Sequence, residues 1–171
     1  MDGEGKKCFE KAPYRAWYRM VENYSRRTLT FEKDKLPAVA GIVEEFKSII
    51  TDKPLLGLWQ GDLLTGLLWQ TAEPTTRIEH TGIPSWSWAS VNGPVNWQNT
   101  GVVNSGTPPK NQAEVMTSNI EWSGHPMTSQ IKHATLKVRG RLKRAKLSKF
   151  GATKGNSFYL HAIDESISNP P

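Results

Sequence analysis

WYRMVENYSRRTLTFEKDKLPAVAG, running from Trp17 to Gly41, is the stretch whose reading decides the first half of the fold. Tyr14, Trp17, Tyr18, Val21 and Tyr24 or Ser25 recur at three-and-four spacing, which places one apolar-aromatic stripe along a helix expected from Pro13 to Arg26. Pro13 suits the first turn of such a helix, where its missing N–H costs nothing. Arg26-Arg27-Thr28-Leu29-Thr30 is a short connector. A second helix is expected over Lys33 to Ile50, with Leu36, Val39, Ala40, Val43, Phe46 or Lys47, and Ile49-Ile50 on its inner face. Thr30 or Asp34 can cap it, and Arg27 and Asp34 are read as a pair rather than as acid or base. Gly41 falls inside this helix at a cost of about 1 kcal/mol against alanine, which points to close approach by another helix or by the Trp17 ring.

Outward from that block, Leu55-Leu56-Gly57-Leu58-Trp59 is apolar throughout, and periodicity does not assign it to helix or strand. Asp62 to Gln70 reads as a third, short helix with Asp62 as its cap and a leucine-rich surface buried on several sides. The grammar changes after Thr71. Residues 73–84 read as loop. Ser85 to Val91 alternates strictly, so Trp86, Trp88 and Ser90 are expected on one strand face, and Asn92-Gly93 signals a hairpin turn. Further strands are expected over Glu114 to Trp122, Ala134 to Leu142 and Ser157 to Ile163, with a long Gly/Ser/Pro loop over residues 101–112. The fold class is therefore α+β: a helical half of about three helices followed by a β-rich half. The expected organisation is a disordered tail over 1–12, a helical segment over 13–71, a β-rich segment over 72–165 and a tail over 166–171.

The chain has 171 residues, enough for one domain that buries roughly two-thirds of its unfolded surface. No run approaches the ~18–20 apolar residues of a membrane span, and the start of the chain lacks an apolar signal-peptide core. A single cysteine, Cys8, excludes an internal disulfide and points to a reduced intracellular protein, cytoplasmic by expectation. The net charge of +6 is unevenly placed. Nine basic residues and no acidic one lie between Ser123 and Ile163. Lys137, Arg139, Arg141, Lys143 and Arg144 are the candidate anion-binding set, able to meet nucleic acid or an anionic surface. The plainer reading is a solvated strand face.

Catalytic and metal patterns are missing from the sequence. His80, His125, His133 and His161 have no metal spacing, one cysteine cannot build a thiolate site, and no Gly-x-Ser-x-Gly elbow occurs. Gly151-Ala-Thr-Lys-Gly155 lacks the ending of a phosphate loop. No catalytic residue, cofactor or metal is expected. The seven tryptophans could stack bases beside a basic strand. They sit instead on apolar faces, where each ring removes roughly 150–250 Å² from water, so they are read as core.

Three ordered motifs carry a family resemblance. The first is the block Trp17, Val21, Tyr24, Ser25, Arg27, Leu29, Asp34, Leu36, Gly41. The second is Leu56-Gly57-Leu58-Trp59 followed by Leu67-Leu68-Trp69. The third is Pro84-Ser85-Trp86-Ser87-Trp88-Ala89-Ser90. Together they resemble the region that follows the effector core in fungal heterokaryon-incompatibility (HET) domain proteins, over roughly Pro13 to Leu142. The core motifs of that family are not in this chain. The resemblance implies a non-enzymatic accessory region, expected to be a fragment that packs against a HET core of a longer chain or of another HET-type protein, in fungal non-self recognition. The alternative is a nucleic-acid or anionic-surface binding module built on the basic strand 137–146.

Overall fold

The computed structural model describes residues 3–79, 81–97, 113–140, 145–150 and 157–162, with side chains over 12–79, 81–97 and 113–140. The fold is α+β. Helices α1 (Gly3–Ser25), α2 (Ala40–Ile50) and α3 (Leu63–Gly66) lie in the first half, and the longer strands lie in the second. Two compact units divide the chain, Met1–Arg139 and Gly140–Pro171. Most of the helical half and most of the β-rich half belong to the first unit.

In the first unit α1 begins at Gly3, ten residues before the expected start, so residues 3–12 of the expected tail are helical and Pro13 lies inside the helix. The lysines and glutamates of that stretch are good helix formers, and the turns on either side carry the helix past the ladder bond that Pro13 cannot make. The face carrying Trp17, Tyr18, Val21 and Ser25 is buried, as the spacing requires.

The helix expected from Lys33 is broken into three pieces: 3₁₀ turns at Glu32–Asp34 and Pro37–Val39, then α2. Neither Thr30 nor Asp34 caps α2, which starts after Val39 without a side-chain cap. Nor do Arg27 and Asp34 form an ion pair among the described residues. Pro37 accounts for the break: it lacks the N–H that a continuous α-helix needs four residues beyond Lys33. Gly41 lies in the first turn of α2 with open space where a Cβ would be, so close approach is not its reason. α2 ends at Thr51, whose left-handed backbone (φ 52°) forms the C-terminal cap.

The ambiguous run 55–59 is a tight hairpin. β1 (Pro54–Leu55) pairs antiparallel with β2 (Leu58–Trp59), Leu55 opposite Leu58. Leu56 (φ 50°) and Gly57 (φ 85°) form the two-residue turn, and positive φ at both is the feature of a type I′ turn, whose twist matches that of the paired strands. Hairpin tips usually face water; all four residues from Leu55 to Leu58 are buried. The next helix is shorter than expected. A 3₁₀ turn at Gln60–Asp62 leads into α3, and Leu67, Leu68 and Trp69 lie beyond its end.

The stretch 70–78 then runs antiparallel to 90–97. β3 (Gln70–Thr71) pairs with β6 (Val95–Asn96), and β4 (Thr76–Arg77) pairs with β5 (Val91–Asn92). Asn92-Gly93 is not a hairpin turn. It lies where this ribbon shifts register, beside the prolines Pro74 and Pro94, which cannot donate to a ladder. Ser85 to Ser90 is not a strand either: Pro84 opens a turn and Trp88–Ser90 is 3₁₀, capped by the Ser87 hydroxyl accepting from the Ala89 N–H. Local side-chain-to-backbone bonding by serine has overridden the alternating pattern. β7 (Ala113–Trp122) and β8 (Ile131–Gly140) pair as a long hairpin, with Glu121 facing Lys132 and Glu114 facing Arg139.

In the second unit β9 (Ala145–Phe150) pairs antiparallel with β10 (Ser157–Ala162), Ala145 opposite Ala162 and Phe150 opposite Ser157. The expected tail over 166–171 and the loop over 101–112 lie outside the described residues.

Candidate functional site

The buried hairpin tip is the centre of the molecule's polar wiring. The carbonyl of Gly57 accepts two indole N–H groups, from Trp17 Nε1 at 3.0 Å and from Trp88 Nε1 at 2.8 Å. One residue back, the Leu56 carbonyl accepts the Ser87 hydroxyl at 2.7 Å. Hairpin turns leave carbonyls without ladder partners, and inside a core each such oxygen must find a donor. Both of the Gly57 oxygen's lone-pair directions are filled here. Gly57 must be glycine twice over: its φ is positive, and a Cβ would stand 2.4 Å from Trp88 Nε1.

Around that oxygen the rings pack edge to face. Trp17 meets Trp59 at 5.4 Å between centroids and Phe46 at 5.3 Å, and Tyr24 meets Trp88 at 6.0 Å. These are the arrangements that aromatic quadrupoles favour. Trp59, fully buried, leaves its Nε1 without a partner.

A second layer ties the ribbon to the helices. Ser25 Oγ accepts the Val95 N–H at 3.0 Å, the Glu22 carboxylate accepts the Trp97 N–H at 3.0 Å, and the Trp97 indole donates to the Gly66 carbonyl at 3.1 Å. Trp97 also stacks on Tyr18 at 4.6 Å. Tyr18 donates its hydroxyl to Asp62 at 2.7 Å, and Thr65 donates to the other carboxylate oxygen at 2.8 Å. Burial, then the Asp62 charge, pushes the Tyr18 phenol far above its usual range. Asp62 does start α3, but its side chain serves Tyr18 and Thr65 in place of a backbone cap. Near the surface Asp52 accepts from the Tyr14 hydroxyl at 3.0 Å and the Gly61 N–H at 2.7 Å. Burial and this carboxylate raise Tyr14 to about 12.

Lys35 is the chemically unusual member of the junction. It is 4% exposed, donates its ammonium to the Val91 carbonyl, and lies 5.5 Å from the centroid of the Trp88 ring. Its own carbonyl accepts the Tyr24 hydroxyl at 3.0 Å. Burial lowers the amine to about 8, with Glu32 opposing the shift.

The three sequence motifs therefore meet. Trp17, Tyr24, Ser25 and Leu36 from the first, Trp59 and Trp69 from the second, and Trp86 and Trp88 from the third belong to one core or pack against it. Trp69 donates to the Trp86 carbonyl at 2.9 Å, and the Pro84 carbonyl accepts the Ser87 N–H. Arg27, Gly41 and Ser85 are exposed, Leu29 and Asp34 half-buried, and none of them makes a side-chain hydrogen bond among the described residues. Gly57, Ser87, Asp62 and Lys35 carry much of the wiring and were not singled out as site residues by the sequence. Gly57 and Ser87 stand inside the quoted motifs and Asp62 is the expected cap of the third helix, but nothing along the chain assigns them these partners, and Lys35 carries no signal.

Of the anion-binding set, Lys137 and Arg139 lie exposed on β8, and Arg139 is matched at 2.6 Å by Glu114 across the hairpin. Arg141, Lys143 and Arg144 lie outside the described residues. No group of three His, Cys, Asp or Glu side chains among the described residues is placed to hold a metal ion. No helix among them is long and apolar enough to cross a membrane. Comparison of the chain with known proteins finds no matching family model, no matching curated protein and no matching solved structure.

Proposed function

We propose that this chain is a non-catalytic packing module of the HET type, acting inside the cell and docking on a HET effector core in fungal non-self recognition. The observation that supports the reading is the meeting of the three motifs that resemble that family at the hairpin tip: Trp17 of the first and Trp88 of the third donate to the Gly57 carbonyl of the second, and Ser87 of the third to its Leu56 carbonyl. Their indole, hydroxyl and carboxylate groups are largely consumed in holding the backbone together, which is the chemistry of a scaffold. Such a module needs apolar surface left for a partner. Ile42 and Ile49, two turns apart on α2, are 38% and 63% exposed, and Phe31 is 60% exposed; Ile49 thus points outward, against the inner-face position expected of it.

The test is titration calorimetry of the full chain against a separately produced HET effector core. Saturable binding is expected, weakened at least tenfold by Ile49→Lys with Ile42→Lys. Binding that is absent, or indifferent to these exposed substitutions, sinks the reading. The nucleic-acid alternative has less behind it, because Glu114 already faces Arg139 of its basic set. It predicts affinity for duplex or single strands that falls steeply with salt.

A further inference from the structure

A cleft of 1120 Å³ opens between the C-terminal end of α2 and the tip of the β7–β8 hairpin. Its apolar lining comes from Leu56, Ile120, Trp122 and Met127. Its polar lining is Glu44, Lys47, Thr51, Asp52, Lys53 and His125. The volume lies a little above the roughly 300–1,000 Å³ of most small-molecule sites, and the mixture, mostly apolar with a few polar groups, is theirs.

A second observation picks out the same place. Three non-glycine residues among the described chain have positive φ: Thr51 (52°), Leu56 (50°) and Met127 (67°). All three line this cleft. Turn geometry imposes this backbone where α2 ends, where β1 meets β2 and between β7 and β8, so three turns converge on the wall of the cleft. Met127, though in a hairpin turn, is 6% exposed.

Charge narrows the ligand. Glu44 is paired with Lys47 at 3.2 Å. Asp52 is occupied by the Tyr14 hydroxyl and by the N–H groups of Lys53 and Gly61. The Lys53 ammonium has no ion-pair partner among the described residues. We propose that this cleft binds a small molecule with an apolar ring body and one anionic group, the ring against Trp122, Ile120 and Met127 and the anion at Lys53. The inference does not rest on the packing function: the cleft shares Leu56 with the hairpin tip and Lys47 with α2, but the proposed ligand contacts, Trp122, Ile120, Met127 and Lys53, belong neither to the tryptophan junction nor to Ile42 and Ile49.

The experiment is a ¹H–¹⁵N NMR titration of the full chain with 2-naphthoate, and in parallel with the neutral 2-naphthalenemethanol. Saturable shifts are expected at the Trp122 indole N–H and the Ile120 and Met127 amides, with a dissociation constant of about 1 mM or tighter. The acid binds about threefold to fivefold tighter than the alcohol, and Lys53→Glu, an exposed substitution that leaves the fold intact, abolishes or reverses that preference. Shifts that are absent or scattered over the surface, equal affinity for acid and alcohol, or a preference untouched by Lys53→Glu each overturn the proposal.

Discussion

Trp17 and Trp88 donate to the same oxygen. Their indole N–H groups reach the Gly57 carbonyl at 3.0 and 2.8 Å, one from a helix and the other from a 3₁₀ turn on the far side of the hairpin. A single buried acceptor therefore fixes the relative positions of α1, the β1–β2 tip and the segment after Pro84. Losing the acceptor's geometry is costlier than losing either donor.

Gly57→Ala tests that ordering. The added methyl meets the Trp88 ring at 2.4 Å, and the backbone must stay left-handed. Overpacking and the left-handed penalty together are expected to destabilise the chain by about 3 kcal/mol or more, read as a drop in the urea midpoint. A midpoint within the error of the parent chain would show that the tip relaxes freely.

Trp59 and Trp88 offer a matched comparison. Both are buried, but Trp88 donates a hydrogen bond and the Trp59 N–H is orphaned. Replacing either by phenylalanine removes the same volume. Trp88→Phe also strips the Gly57 oxygen of a donor, whereas Trp59→Phe removes a buried group without a partner. Chemical denaturation should place Trp88→Phe below Trp59→Phe by about 2 kcal/mol or more. Equal losses would mean that volume alone decides.

Lys35 makes stability depend on alkaline pH. Its amine falls from 10.5 to about 8 on folding, so between those values the unfolded chain holds more protons. Stability therefore rises with pH across that window and sits on its lower plateau below it. Tyr14 and Tyr18 work the other way: their folded values are raised, and they lose stability once unfolded tyrosines ionise above 10.0. Urea denaturation from about pH 7 to about pH 10 is expected to show the parent chain gaining about 2 kcal/mol relative to Lys35→Met. Parallel profiles would show that the buried amine keeps its solution affinity for protons.

Gly41→Ala should stabilise. The site is exposed, has open space for a methyl and lies in the first turn of α2. A gain of a few tenths to about 1 kcal/mol in thermal or urea melts is expected from helix propensity and the reduced freedom of the unfolded chain. A loss would restore the close-approach reading that the structure overturned.

The buried face of α1 was legible in the sequence because Trp17, Tyr18 and Val21 repeat at the helical period, and period is a local property. The strands β7, β8 and β10 were legible for the same reason. The 85–91 segment was misread because its alternation is real but its serines bond locally: Ser87 caps a 3₁₀ turn and reaches the Leu56 carbonyl, a partner thirty-one residues away that no window contains. Gly41 was misread because propensity flags an unusual residue without saying what stands beside it. The resemblance picked out the tryptophans, whereas Gly57 and Lys35 matter through the groups that fold against them.

By itself the sequence determined an α+β chain, an aromatic core drawn from three motifs, and a basic stretch set apart from the acidic residues. Tertiary structure alone decided that the hairpin tip at Leu56-Gly57 is buried, that two indoles share one carbonyl, that Lys35 sits under Trp88, and that Glu114 and Glu121 meet part of the basic strand. The division follows from the physics. Periodicity and turn chemistry are set by neighbours along the chain, but a buried polar group is satisfied by whichever donor the fold brings to it.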